Sequence, residues 1–509
     1  MKKYTTSLSK PLNGELSGIQ DSIPKILFNL VQSCNFKKLS EFLALNPNLH
    51  ITTFLDDHSH FLLHVACFHN QFEICRLLLN YAKENQISQP EINDWVNGKT
   101  PDGYCPLHFA SYHGNINLIK LLEDYGANFY IRTSSGLTIM HTAAEGDQPI
   151  SIVYFRNKGL SLKEKDYKGF TPLHKAAERG MENAIYYLTS WDSLPNETEN
   201  DGCTPLHLAV IPGNVKVVRR LLIKGADSSI KNKEGKTPKD LAIENNDENI
   251  QQLFKEGNNM IECLGIKSKL RKERTKTSYI TNLILGFVLF AASINFLFPF
   301  VKNVYYIFIS LIFFSLTLST FLLASSTDPG RIQSNEKKDI FTLLLNNGPH
   351  LICPDCAIIK PQRSRHCECC NNCINNYYHH CPWIDNCVGV NNYHYFLMFI
   401  FSTLLLLIWM NIIAGLHLTE DDFEYNLWSI QLQENALIYL KFATCVMIFV
   451  LGAVFLFPLA ALNYLHLGNI YKNQTTYERF NYNNTAHKVF NFWRSQKDFK
   501  NGVYTKVNY

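Results

Sequence analysis

The sequence predicts an all-α membrane protein in which a helical repeat solenoid is followed by a domain of four transmembrane helices. Three observations lead to this fold class. A short pattern recurs every 33 residues in the N-terminal half, four long apolar stretches follow, and cysteines and histidines crowd between the second and third stretch. A chain of 509 residues is too long for one hydrophobic core, so several units are expected.

The repeat pattern begins at a glycine and runs through Thr-Pro-Leu-His. Its regular copies are Gly103–His108, Gly136–His141, Gly169–His174, Gly202–His207 and Gly235–Asp240. A degenerate copy at Phe61–His64 lies 44 residues upstream of the first, and residues 23–49 look like one more helix pair. Threonine can cap a helix and proline fits its first turn, so each copy predicts the start of a helix.

This 33-residue pattern resembles the ankyrin repeat, which implies about six or seven stacked units over residues 23–257. The polar Lys239-Asp240 in the last copy is typical of a terminal cap. Ankyrin stacks bind other proteins on a concave face. We expect the repeated histidines to be structural rather than metal ligands, each bonded within its own turn; they are His64, His108, His141, His174 and His207.

The first 20 residues are polar and predict no cleaved signal peptide, so the N-terminal half is expected in the cytosol. Eight of the 15 cysteines lie in one cluster with histidines. Clustered Cys-x2-Cys pairs indicate bound metal in a reducing compartment rather than disulfides.

The four apolar stretches are about Tyr279–Phe300, Tyr305–Ser325, Tyr395–Leu416 and Phe442–Leu465. Each has the roughly 20 residues needed to cross the hydrocarbon core. Basic residues precede the first span and also lie within the cluster segment and the C-terminal tail. Residues 419–424, between spans three and four, are acidic instead. The positive-inside rule therefore predicts that both termini and the cluster face the cytosol.

The predicted boundaries are an N-terminal tail at 1–22, repeats at 23–257, a basic linker at 258–278, spans 1–2 at 279–325, a cysteine-rich domain at 326–394, spans 3–4 at 395–465 and a tail at 466–509.

Eleven cysteines and histidines lie within the 35 residues from Cys353 to Cys387. Thiolate and imidazole donors at this spacing suit Zn²⁺, whose structural sites are closed at four ligands. Two such sites use eight donors, and three remain. The spacing alone does not say which three.

The pattern from Cys353 to Asn392, with Lys360-Pro361, the His-His-Cys-Pro-Trp run and Asn-Cys-Val-Gly, resembles the cysteine-rich domain of the DHHC-type protein S-acyltransferases. Two further family motifs lie on either side of this pattern, in the order that the family shows. Asp328-Pro329-Gly330 comes after span two, and Thr475-Thr476-x-Glu478 comes after span four. Ankyrin repeats ahead of the membrane part resemble one branch of this family.

The resemblance implies two zinc sites and a catalytic pair. One zinc ion is assigned to Cys353, Cys356, His366 and Cys373, and the other to Cys367, Cys370, His380 and Cys387. The spare donors are then Cys369, His379 and Cys381. Cys381 matches the nucleophile that takes a fatty acyl group from acyl-CoA, such as palmitoyl-CoA, and passes it to substrate cysteines, and His379 matches its base.

This assignment agrees with the chemistry of the residues. Attack on a thioester needs a thiolate, and a free cysteine with a pKa near about 8.5 is mostly protonated at neutral pH. A neighbouring imidazole can take the proton, while zinc ligands on either side fix the loop. Cys369 has no such partner and is expected to be a bystander.

Tyr378 stands where the family usually has aspartate. The carboxylate orients the histidine and stabilises its imidazolium form, and tyrosine brings no negative charge. Because a thiolate depends less on its base than a hydroxyl does, we expect a weakened or retuned transferase rather than an inactive one. Asp385 is close in sequence, and the hypothesis that it supplies the missing charge stays open.

Three functional hypotheses follow. The leading one is a palmitoyltransferase whose ankyrin repeats recruit substrate proteins with cytosolic cysteines. The second is a catalytically impaired ankyrin and zinc scaffold at the membrane, which Tyr378 keeps open. Nucleic-acid binding is disfavoured, because the cluster lies between two spans and lacks a basic recognition helix. The family's usual address implies the Golgi or endoplasmic reticulum membrane.

Overall fold

The computed structural model describes residues 23–191, 194–255, 304–332, 339–418, 432–476 and 478–479. Its contacts divide the chain into two compact units. The first comprises the described residues of Met1–Glu256 and Glu336–Ile359, and the second those of Gly257–Asn335 and Lys360–Tyr509.

Short helices build the N-terminal part of the first unit. They are α1 (Ile23–Gln32), α2 (Phe36–Leu45), α3 (Leu62–Phe68), α4 (Phe72–Glu84), α5 (Gln89–Val96), α6 (Pro106–His113), α7 (Ile116–Asp124), α8 (Ile139–Glu145), α9 (Pro149–Asn157), α10 (Pro172–Arg179), α11 (Glu182–Leu188), α12 (Pro205–Val210), α13 (Val215–Ile223), α14 (Pro238–Glu244) and α15 (Glu248–Lys255). The helix that opens each repeat packs on the one that opens the next, from α6 through α8 and α10 to α12. This stacking confirms the predicted solenoid.

The repeated histidines join neighbouring turns, as His174 illustrates. The backbone N–H of Thr171 donates to His174 Nδ1 at 3.1 Å, and His174 Nε2 donates to the carbonyl oxygen of Glu197 at 3.1 Å. His141 does the same, accepting from Thr138 and donating to Phe170. The expected structural role of these histidines is confirmed.

The first unit also contains residues that follow the second predicted span. They form α17 (Ile340–Asn346), a 3₁₀ turn (Pro349–Leu351) and an antiparallel hairpin of β1 (Ile352–Cys353) and β2 (Ile358–Ile359). The sequence had placed this segment in the cysteine-rich domain, whereas its contacts group it with the repeats. The domain boundaries stay predictions.

The second unit contains three long helices: α16 (Val304–Ser326), α18 (Tyr393–Leu418) and α19 (Leu432–Tyr471). Within them Val304–Ser326, Tyr393–Leu416 and Cys445–Tyr471 are long and apolar enough to cross a membrane. They match the second, third and fourth predicted spans. The first predicted span, Tyr279–Phe300, lies outside the described residues.

Polar side chains join these three helices. Trp409 Nε1 donates to Ser310 Oγ at 2.9 Å, and Asn463 Nδ2 donates to the carbonyl oxygen of Ile400 at 3.1 Å. Such bonds between apolar helices contribute on the order of 0.6 kcal/mol each in a membrane. They hold α16, α18 and α19 in register.

Two further hairpins complete the second unit: β3 (Arg365–Cys367) with β4 (Asn372–Ile374), and β5 (His379–Cys381) with β6 (Asn386–Val388). These short strands, with β1 and β2, are the departure from the predicted all-α class. They carry the predicted metal ligands and the predicted catalytic pair.

Candidate functional site

Strand β5 places the predicted catalytic pair on one of its faces and the predicted zinc ligand His380, which lies between them in sequence, on the other. Side chains alternate between the two faces of a strand, so His379 and Cys381 share one face and His380 occupies the other. His379 and Cys381 are 4% and 3% exposed, and Cys381 lies in an apolar cluster with Phe321 and Phe396 of the long helices. The predicted nucleophile therefore lies against the ends of the apolar helices.

The opposite face of β5 joins a set of four metal-ligand side chains. Cys387 lies directly across from His380 in the β5–β6 pair, and Cys367 and Cys370 come from the β3–β4 hairpin. His380 Nδ1 lies 3.4 Å from Cys370 Sγ and 3.6 Å from Cys387 Sγ, and the two sulfurs are 3.4 Å apart. A tetrahedral zinc ion has ligand-to-ligand edges of about 3.5–3.8 Å. The donor types and spacings therefore fit a structural Zn²⁺.

The other predicted ligand set divides between the two units. Cys353 ends β1 and Cys356 lies in the hairpin turn of the first unit. His366 and Cys373 are opposite each other on β3 and β4 of the second unit, with 3.9 Å between His366 Nδ1 and Cys373 Sγ. Their assignment to one zinc ion stays a prediction. Cys369 belongs to neither predicted set.

Burial controls the protonation of the nucleophile. It raises the pKa of the Cys381 thiol to about 11, although hydrogen bonds from the backbone of Ile384 and Trp383 oppose the increase. Deprotonation of this thiol thus requires a proton acceptor or contact with the incoming thioester.

Burial also determines the state of His379. Loss of solvent, followed by the nearby His466 and His380 rings, holds the pKa of His379 well below its ordinary value. The imidazole is therefore neutral and can accept a proton. Its ring packs edge-on against Phe396, with 5.3 Å between ring centroids, and Nδ1 lacks a hydrogen-bond partner among the described residues.

Tyr378, which stands at the family's aspartate position, stacks on another aromatic ring. Its ring lies parallel to that of Tyr393, with 3.9 Å between centroids and 9° between planes. The Tyr393 hydroxyl is within 3.3 Å of His466 Nδ1, and the His466 ring lies 5.9 Å from that of His379. Burial raises the pKa of Tyr378, so this residue brings no charge at neutral pH.

Asp385 raises the pKa of His380 and is not among the groups that shift the pKa of His379, the histidine for which we proposed it. Burial lowers the pKa of His380, but the Cys370 thiol, Cys369 and then Asp385 outweigh it and raise the pKa overall. No carboxylate is among the groups that shift the pKa of His379. The structure thus gives no support to Asp385 as the replacement for the missing aspartate.

Asparagines of the motif fix the β5–β6 hairpin to the end of α16. Asn386 Nδ2 donates to the carbonyl oxygens of Ser325 and Thr327 at 3.1 and 2.9 Å, where the helix leaves its last carbonyls unpaired. Asn392 Nδ2 donates to the carbonyl oxygen of Ala324 at 3.2 Å. Our sequence analysis gave these asparagines no role.

Gly389 is required by close packing. A Cβ atom there would lie 2.2 Å from the carbonyl oxygen of Pro329, in the Asp-Pro-Gly turn. The N–H groups of Gly330 and Arg331 donate to Asp328 Oδ1 at 2.7 and 2.8 Å, so this carboxylate closes the turn. The turn thus has a structural role beside the hairpins.

The Thr-Thr-x-Glu motif forms a capping box. The Thr475 N–H donates to Glu478 Oε2 at 2.7 Å, and the Glu478 N–H donates to Thr475 Oγ1 at 3.2 Å. Arg363 pairs with Glu478 at 3.1 Å and donates to the carbonyl oxygen of Asn473 at 2.6 Å. Arg363 therefore ties the β3 hairpin segment to the residues that follow α19.

His466 is a site residue that our sequence analysis missed. It is fully buried on α19, next to Tyr393 and His379. The predicted fourth span ends at Leu465, one residue earlier, so the sequence alone did not place His466 inside an apolar stretch.

The described residues thus contain helices long and apolar enough to cross a membrane, a four-donor set that fits zinc, and a repeat solenoid. Residues 346–483 match the model of the DHHC palmitoyltransferase family, and residues 27–133 and 192–262 match that of ankyrin repeats. Over these residues the chain is therefore similar to DHHC palmitoyltransferases and to ankyrin-repeat proteins.

Three relatives illustrate the similarity. "Probable protein S-acyltransferase 7" of Arabidopsis thaliana is 36% identical over 132 residues, which cover 26% of this chain and 28% of that protein. Human "Palmitoyltransferase ZDHHC17" is 43% identical over 89 residues, 16% of this chain and 14% of the relative. Rat "Palmitoyltransferase ZDHHC3" is 40% identical over 113 residues, 21% of this chain and 38% of the relative. The chain thus spans well under half the length of these relatives.

Proposed function

We propose that the protein is a protein S-acyltransferase that moves a long-chain acyl group, such as palmitoyl, from acyl-CoA to cysteines of substrate proteins. The observation that carries this proposal is the placement of Cys381. Its thiol is buried against the ends of α16 and α18, while the other face of β5 carries a zinc ligand. An acyl chain lying among apolar helices could present its thioester to a thiol held there.

The first half-reaction is an exchange of thioesters. The Cys381 sulfur attacks the carbonyl carbon of acyl-CoA, its proton passes to His379, and a new carbon–sulfur bond forms. The bond from the carbonyl carbon to the coenzyme A sulfur breaks, and the proton leaves with that thiolate. Because one thioester replaces another, the step is close to balanced in free energy.

The second half-reaction repeats this chemistry in the other direction. A substrate cysteine attacks the acyl-Cys381 thioester, His379 takes its proton, and Cys381 leaves as the protonated thiol. Splitting one transfer into two steps through an enzyme thioester is covalent catalysis.

Two zinc ions belong to the proposal. Zinc, when bound, supplies structural cross-links and not the reaction itself. The Cys367, Cys370, His380 and Cys387 set fixes β5 from the face opposite Cys381. The set of Cys353, Cys356, His366 and Cys373 is proposed from the motif.

A catalytically impaired scaffold is the alternative. The neutral, stacked Tyr378 favours it, because the usual carboxylate would stabilise the imidazolium of His379. In a serine triad, loss of the equivalent carboxylate slows the reaction about 10⁴-fold. A thiol is intrinsically more nucleophilic than a hydroxyl, and we therefore favour a slow enzyme.

The setting of the proposed enzyme follows from its other parts. We propose a multi-pass protein of the Golgi or endoplasmic reticulum membrane with both termini in the cytosol. Substrate proteins with cytosolic cysteines are proposed to be recruited through the ankyrin repeats, which are a protein-binding architecture.

Purified full-length protein incubated with alkyne-tagged palmitoyl-CoA tests this proposal. A label that hydroxylamine removes, and that Cys381→Ser lacks, is the expected result. Equal labelling of wild type and Cys381→Ser would favour the scaffold. Circular dichroism and zinc content of the variant must match wild type for the comparison to count.

A further inference from the structure

One face of the repeats is covered by a later segment of the same unit, residues 340–355, and we call it the docking face. The face is formed by α9, α11, α13 and the residues that follow α11 and α13. Val153 and Tyr187 from the repeats pack with Leu343, Leu344 and Ile352 from the later segment. Tyr187 is fully buried, and its hydroxyl donates to the carbonyl oxygen of Pro349 at 3.1 Å.

Asp355 is the polar centre of this docking face. It lies between Cys353 and Cys356, and its side chain is 9% exposed. Lys224 Nζ lies 3.0 Å from Asp355 Oδ1, and Arg220 Nη2 lies 3.5 Å from Oδ2. These cations are themselves 10% and 13% exposed.

Neighbouring side chains complete the environment of this ion cluster. Ser190 Oγ donates to Asp355 Oδ2 at 3.2 Å. The Arg220 guanidinium lies 4.2 Å from the centroid of the Tyr186 ring, and the Tyr186 hydroxyl is 4.0 Å from Cys353 Sγ. The repeats therefore contact both the acidic residue and one of the predicted zinc ligands.

Asp355 is not one of the four ligands predicted for this zinc ion. When zinc is bound, the ligands on either side of Asp355 are thiolates, and a third negative charge beside them is unfavourable unless cations compensate it. Removing a carboxylate from water also carries a large penalty unless it is paired. Arg220 and Lys224, which pair with Asp355, lie in the last turn of α13 and just beyond it.

We propose that the repeats hold the Cys353–Cys356 turn in the geometry that binds zinc, through Asp355 and the cations of α13. If zinc binds only when the hairpin is docked on the repeats, then zinc binding stabilises the docked repeats, and loosening of the repeats weakens zinc binding. Zinc retention at this turn and the stability of the repeats are therefore linked. Partner proteins must use other surfaces of the repeats, because this docking face is covered. The inference rests on the zinc assignment within the proposed function but not on catalysis.

The test measures zinc release from full-length protein in detergent, using a chromogenic chelator in excess. Lys224→Gln and Asp355→Asn should each speed the release of one of two zinc ions by about tenfold, and leave the other unchanged. Lys216→Gln is the matched control, because Lys216 lies in the first turn of α13 but is 74% exposed and pairs with Glu182. It should behave as wild type.

A double variant separates a specific ion pair from general damage. If Asp355 acts through Lys224, then Asp355→Asn combined with Lys224→Gln should release zinc about as fast as either single variant. Equal release from Lys224→Gln and Lys216→Gln, or multiplying effects in the double variant, would overturn the proposal.

Hydrogen exchange supplies a second readout that does not depend on any variant folding. Zinc removal from wild type should increase exchange at backbone amides of α11 and α13, and little at α3. Unchanged protection of α11 and α13 would contradict the linkage. Cys381→Ser should leave both readouts as in wild type, so failure of catalysis and failure of this inference are distinguishable.

Discussion

At the residue scale, the proposed catalytic pair, Cys381 and His379, is buried and uncharged. Burial raises the pKa of Cys381 to about 11 and holds that of His379 well below its ordinary value. The nucleophile is then scarce as thiolate, and the base is ready to accept a proton but weak. The chemistry therefore depends on the arrangement of the two side chains rather than on a preformed ion pair.

The first prediction concerns pH. The pKa of Cys381 is raised to about 11, so its thiol stays protonated from pH 6.5 to 8.5. His379 is neutral over the same range, since its pKa is lowered. Because the proposed step passes the proton from a neutral thiol to a neutral imidazole, the initial rate of self-acylation should change little across this range, measured as hydroxylamine-labile label above the Cys381→Ser background. A rate that increases about tenfold per pH unit would show instead that the thiolate forms before the attack, without His379.

The second prediction concerns Tyr378→Asp. A carboxylate beside His379 favours its protonated form, so we expect self-acylation to accelerate by about tenfold or more. Tyr378→Asn is the matched control, because it removes the same stacking on Tyr393 without adding charge. If Tyr378→Asp and Tyr378→Asn react at the rate of wild type, the missing carboxylate does not limit turnover.

At the scale of elements, the β5–β6 hairpin connects three functions. One face carries the proposed catalytic pair, the other carries His380 and Cys387, and Asn386 binds the end of α16. The alternation of a strand makes this possible within three residues. A helix would place neighbouring side chains about 100° apart and would not separate them so cleanly.

The third prediction tests the connection to α16. Asn386→Leu keeps the size of the side chain but leaves buried carbonyl oxygens without their donor, which costs about 1–3 kcal/mol. The thermal unfolding midpoint of the membrane unit in detergent should decrease. Asn391→Leu, at an exposed position five residues further along the same unit, should change it little. Equal midpoints for the two variants would contradict the structural role of Asn386.

The sequence was informative about ligand types and spacing but not about this hairpin. Cysteine and histidine spacing predicted two zinc sites because zinc accepts few donor types, but the division of the donors into two sets came from the family resemblance and stays a prediction. The strands were missed because each has only two or three residues and shows no hydrophobic periodicity. The positions of Tyr393 and His466 depend on packing between helices distant in sequence, which no local pattern encodes.

At the scale of the whole molecule, the 33-residue period predicted the solenoid because each repeat specifies its own capped helix. The apolar stretches likewise predicted helices α16, α18 and α19. The packing of residues 340–352 on the repeats was not predictable, because it depends on single contacts such as that of Tyr187 with Pro349.

The fourth prediction concerns acid stability of the repeats. Burial lowers the pKa of His64, His141 and His174 to about 4, below the 6.5 of an exposed histidine. The unfolded chain then binds more protons below pH 6.5, so each histidine reduces stability by about 1.4 kcal/mol per pH unit down to about pH 4. Helical circular dichroism should show a lower unfolding midpoint at pH 5 than at pH 7. Equal midpoints would mean that these histidines are accessible to protons in the folded repeats.

The most direct test of the central claim is the site and rate of acylation in the wild-type protein. After brief exposure to palmitoyl-CoA, mass spectrometry of peptides should find the palmitoyl group on Cys381 first, with Cys369 unmodified. Hydroxylamine should remove it, and Cys381→Ser should show no early modification. Modification that begins at Cys369, or that proceeds equally in Cys381→Ser, would contradict Cys381 as the acyl carrier.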